Sequence, residues 1–72
     1  MRAASIGAGT FAVRSNLAHW RGEAGDVAGA VAAYEELVEQ MLSVLGPDHP
    51  HTLITQTNLA EWREAQRTRP RI

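Results

Sequence analysis

The chain has no cysteine and no lysine, and only four aromatic residues: Phe11, Trp20, Tyr34 and Trp62. Without cysteine there is no disulfide framework, no thiolate metal site and no cysteine nucleophile. All seven basic residues are arginines and the net charge is −1, so the overall balance gives no reason to expect nucleic acid or an anionic membrane as partner. No apolar run approaches the ~18–20 residues that span a bilayer, and Met1 to Thr10 lacks the ~7–15-residue hydrophobic region of a signal peptide. A cytoplasmic location is the expectation. At 72 residues the chain is one small unit, because independent domains usually reach ~100–150. A core of this size rarely supplies more than ~3–5 kcal/mol, and a multi-step enzyme has nowhere to be built.

Charge is unevenly distributed. Six acids and no base lie between Glu23 and Asp48, whereas Glu61 to Ile72 holds four arginines against two acids. The chain is a charge dipole along its length.

The strongest signal is internal repetition. A shift of 42 places lays Thr10, Asn16, Leu17, Ala18, Trp20 and Arg21 over Thr52, Asn58, Leu59, Ala60, Trp62 and Arg63, all identities. The chain therefore holds one full unit, Thr10 to His51, and the opening of a second.

Within the unit, Val13, Leu17, Trp20 and Ala24 share one face of a helix expected over about 10–24. Gly25-Asp26 breaks the pattern: glycine accepts the left-handed conformation that ends a helix, and aspartate caps the next. Val27, Val31, Tyr34, Val38, Met41 and Leu45 alternate in steps of four and three over about 26–45, with Ala30, Leu37 and Val44 widening the stripe enough for two neighbours. Gly46-Pro47 ends that helix, and Pro50 suits the first turn of a third, expected over about 50–67. Residues 1–9 are expected to form a flexible leader and 68–72 a frayed tail. The fold class is all-α: an antiparallel helical hairpin with a third, capping helix. Its core is expected to comprise Val13, Leu17, Ala18, Trp20, Ala30, Tyr34, Leu37, Met41, Leu59 and Trp62.

Asn16-Leu17-Ala18, Gly25-Asp26, Ala30, Tyr34, Leu37, the connector Leu45-Gly46-Pro47-Asp48-His49-Pro50 and the renewed Asn58-Leu59-Ala60 together resemble a tetratricopeptide repeat of the 42-residue, kinesin-light-chain-like bacterial type. The resemblance covers Thr10 to Ala65. It implies close approach of the hairpin helices at Ala18 and Ala30, Tyr34 filling the space between them, and a concave groove lined by the first helix of each repeat. Candidate partner contacts on that basis are Arg14, Asn16, His19, Asn58 and Glu61, with a protein or peptide as partner and no cofactor.

Four sharper readings are weaker. Gly7-x-Gly9-x-x-Ala12 has the outline of a dinucleotide fingerprint but lacks a preceding strand and a βαβ unit. Ser15, His19 and Glu23 fall in line on one helix with neither cleft nor oxyanion hole, and the second unit has Thr57, Glu61 and Ala65 instead. Asp48, His49 and His51 are of metal-ligand type, but Pro50 stiffens their loop and the resemblance makes Asp48-His49-Pro50 a connector between repeats. The stripe from Val27 to Leu45 is shorter than the ~3–4 heptads that declare a coiled coil.

The expected function is a non-enzymatic protein-interaction module. The alternatives are a truncated piece of a longer repeat array, since stacked repeats usually need three units for a continuous core, and a small regulatory subunit of a signalling NTPase docking on another repeat array. Self-association is also expected. The Val13–Leu17 side has no preceding repeat to cover it, and the Arg63–Arg71 end of one copy would approach the Glu35–Glu39 region of another.

Overall fold

The computed structural model describes residues 8–68. Three helices follow in order, α1 (Ala8–Glu23), α2 (Val27–Val44) and α3 (Pro50–Thr68), and no strand occurs among the described residues. The helices agree with the expected spans except at the edges. Ala8 and Gly9 open α1 instead of ending a leader, and Thr68 closes α3 instead of starting a tail. The remainder of the expected leader and tail, residues 1–7 and 69–72, lies outside the described residues.

The two connections obey the turn chemistry of the sequence. Gly25 takes a φ of 106°, a conformation that costs other residues ~1–2 kcal/mol, and Asp26 N–H returns to the Arg21 carbonyl at 2.9 Å. The Asp26 carboxylate then accepts the Gly29 N–H at 3.0 Å and caps α2, an interaction worth about 1 kcal/mol. At the other end Gly46 has a φ of 94° and its N–H reaches back to the Met41 carbonyl at 3.1 Å. Pro50 opens α3, where its missing N–H leaves no donor without a partner. The His49 side chain accepts the His51 N–H through Nδ1 at 3.1 Å, so both histidines of the connector are engaged in closing the turn.

α2 packs between α1 and α3, while α1 and α3 meet only lightly. Its buried face is Val27, Ala30, Val31, Tyr34, Leu37, Val38 and Met41. That is the expected stripe except at its end, where Leu45 is half-buried and Val44 exposed. The stripe is used inside the molecule against two helices, as its width requires.

The face of α1 differs from expectation. Ala18 is buried as expected, but its companions are Phe11 and Gly22. Val13, Leu17 and Trp20, expected in the core, are 58%, 60% and 67% exposed. At 100° per residue the two sets are centred roughly 150° apart on the helix, so one rotation of α1 buries only one of them. The small residues decide which: Ala18 and Gly22 let α1 approach its neighbours closely, with Phe11 filling the end of the interface. Ala30, Tyr34, Leu37, Met41 and Leu59 are buried as expected, and Trp62 is half-buried against the same core. Thr52 and Thr55, not foreseen, are also inside. Thr55 Oγ1 donates to the His51 carbonyl at 2.8 Å, which satisfies its hydroxyl within the helix.

Candidate partner-binding groove

The antiparallel hairpins leave α1 and α3 side by side on the surface opposite α2, with a groove between them. Ala12, Asn16, His19 and Glu23 recur in steps of four, three and four and form the α1 wall. His51, Ile54, Asn58, Glu61 and Ala65 form the α3 wall by the same rule. The groove consists of two hollows of 300 and 320 Å³ that meet at Asn58, a lining residue of both. One hollow ends in the carboxylates of Glu23 and Glu61 beside the Trp62 ring. The other is floored by Phe11 and Met41 and bordered by Ile54 and His51.

His19 marks the middle of the α1 wall. Its ring stands edge-on to Trp62, with centroids 5.9 Å apart, and edge-on to Trp20 at 6.3 Å. Nε2 lies 3.5 Å from a Glu23 carboxylate oxygen. This orients the imidazole along the helix and leaves it half in solvent. The Ser15 carbonyl, farther along, accepts the Tyr34 hydroxyl at 3.1 Å. The line of Ser15, His19 and Glu23 thus has its His–Glu contact on an open helix face, and the buried interaction of Ser15 belongs to its backbone.

Asn16, His19, Asn58 and Glu61, expected as partner contacts, line this groove together. Arg14 does not. It lies two residues from Asn16, about 200° round the helix, and its Nη1 donates to Gln40 Oε1 of α2 at 2.6 Å. Its role is to tie α1 to α2. Lining residues that were not among the expected contacts include Glu23, His51, Ile54 and Trp62. Stepping by three or four from Asn58 reaches all those on α3, so the helical period alone could have found them.

Gly9 lies inside α1, while Gly7 and the rest of the chain before Ala8 lie outside the described residues. His49 and His51 stack at 5.4 Å, and among the described residues no three histidine or acidic side chains gather as a metal site would require. Arg63, invoked above for contact between copies, donates to Glu35 of its own chain at 2.8 Å. That one pair of the expected intermolecular attraction is therefore made within the fold.

Comparison with protein families decides what this arrangement is. The tetratricopeptide repeat model matches residues 9–70. The chain belongs to the tetratricopeptide repeat family. The match spans all three helices, so α1–α2 is a tetratricopeptide hairpin and α3 the first helix of the next repeat. No curated protein and no solved structure gives a significant match. Among the described residues no helix is long and apolar enough to cross a membrane.

Proposed function

We propose that the protein is a non-enzymatic, cytoplasmic interaction module that takes an extended segment of a protein partner in the groove between α1 and α3. The observation carrying this reading is the convergence of Asn16 and Asn58, identical positions of the two repeats, on one groove with His19, Glu61 and Trp62. Such a wall offers what an extended peptide needs. Side-chain amides can donate to and accept from its backbone, an indole gives a flat apolar contact, and the Glu23–Glu61 end favours a basic side chain. The 42-residue period supports the kinesin-light-chain-like branch of the family as the setting.

A peptide selected from a random library against the folded chain tests the proposal. Its binding, followed by amide chemical-shift changes, should map to Asn16, His19, Asn58 and Glu61. Asn58→Ala should weaken it at least tenfold with the helical content unchanged. Shifts confined to the opposite side of α1, at Val13 and Leu17, would overturn the assignment of the groove.

A further inference from the structure

The repeat register reveals what the outer face of α1 is built to do. Thr10, Val13, Leu17, Trp20 and Arg21 correspond to Thr52, Thr55, Leu59, Trp62 and Arg63. On α3 this face is the packed one. Leu59 is 7% exposed and Thr55 3%, Trp62 lies against the core, and Arg63 closes the edge on Glu35 of α2. On α1 the same face stands open, and Val13 in place of Thr55 makes it more apolar. Among the described residues the Arg21 side chain has only the exposed Asp26 carboxylate, 3.5 Å away, as ion-pair partner, a contact that water and salt largely screen.

The side of α2 that faces α3 carries the complement. A groove of 710 Å³ runs between α2 and α3. Its lining includes Val38, Leu42, Leu59 and Ala60, and its rim holds the Arg63–Glu35 pair, Glu39, and Glu36, which also borders the hollow beside Leu17 and Arg21. Neither Glu36 nor Glu39 has an ion pair or hydrogen bond among the described residues. Large side chains with an arginine flank thus stand on one face, and a hollow with small residues and unpaired carboxylates on another.

We propose that a second copy of this chain lays its Val13–Leu17–Trp20 strip into the α2–α3 groove, with Arg21 paired to Glu39 as Arg63 is paired to Glu35 within one chain. The contact is head to tail. A pair of copies keeps one free strip and one free groove, so association continues beyond two copies unless it closes into a ring. The apolar strip supplies most of the affinity, while the exposed charges set orientation and encounter rate. The α1–α3 groove remains open, which separates this inference from the reading of peptide binding above.

Sedimentation equilibrium on the full chain and two variants tests it. Leu17→Asp disables the strip and Ala60→Arg blocks the groove. Both positions are exposed, and circular dichroism verifies that each variant folds. The unaltered chain should show a mass that rises with concentration. Each variant alone should be monomeric, and their mixture should form a dimer that grows no further, because only one intact strip and one intact groove remain. The charge pair is tested separately: Arg21→Glu should weaken association about threefold to fivefold, and adding Glu39→Arg to the same chain should restore it. A monomeric unaltered chain across a hundredfold concentration range would overturn the proposal. So would association undiminished by Leu17→Asp, a mixture of the two variants that stays monomeric, or self-association of the Ala60→Arg variant alone, the signature of strips meeting each other. Should a variant lose its helices, Trp20→Glu serves for the strip and Ala32→Arg for the groove.

Discussion

The Tyr34 hydroxyl donates to the Ser15 carbonyl at 3.1 Å across the α1–α2 interface. The ring is almost wholly buried, and its one polar atom reaches a carbonyl of the neighbouring helix. Tyr34→Phe should therefore cost about 1 kcal/mol, the net worth of one hydrogen bond. Tyr34→Ala should cost about 3–5 kcal/mol, because it also empties the space between the helices. Urea denaturation distinguishes them, and equal losses would mean that the ring contributes nothing beyond its hydroxyl.

Leu17 and Leu59 hold the same place in the repeat yet sit in different surroundings, 60% and 7% exposed. Leu59→Ala should destabilise the monomer by ~2–5 kcal/mol, and Leu17→Ala by no more than ~0.5 kcal/mol. Thermal melts at concentrations low enough to exclude association provide the comparison. A large loss at Leu17 under those conditions would show that the outer strip of α1 is covered within one chain.

Gly22 lies against the Trp62 ring, and a Cβ there would fall 2.6 Å from ring atoms Cζ2 and Cζ3. Alanine improves helix propensity by ~1 kcal/mol, but overpacking costs ~1–3 kcal/mol. Gly22→Ala should be mildly destabilising in the native chain and stabilising in a Trp62→Ala background. A double-mutant cycle measures this change of sign. Additive effects would mean that Trp62 moves aside without cost.

Thr52 is completely buried, and its hydroxyl has no hydrogen-bond partner among the described residues. Valine has the same shape without the oxygen. Removing an unsatisfied buried hydroxyl relieves a desolvation penalty of ~1–3 kcal/mol, so Thr52→Val should raise stability by about 1 kcal/mol. A loss of that size in denaturant titration would reveal a partner for the hydroxyl in solution.

The helices were legible because their limits are local chemistry. Gly25-Asp26, Gly46-Pro47 and Pro50 act through backbone conformation and capping within a few residues. The 42-residue identity pattern likewise identified the repeat without any knowledge of packing. Asn16, His19, Asn58 and Glu61 were implied by the resemblance to the repeat family, and all four line the candidate groove. Arg14 was misplaced because a residue two steps along a helix points the other way, and its Gln40 partner lies 26 positions distant in sequence.

What the sequence by itself determined is therefore the three helices, their turns, the repeat and the stripe of α2. Only the tertiary structure decided which side of α1 is inside. That helix carries apolar residues on two nearly opposite faces, Phe11 with Ala18 and Val13 with Leu17 and Trp20, and periodicity cannot rank them. The choice depends on neighbours. Closing the short Gly25-Asp26 turn against α2 brings the small face of Ala18 and Gly22 inward and leaves the larger face of Val13, Leu17 and Trp20 exposed.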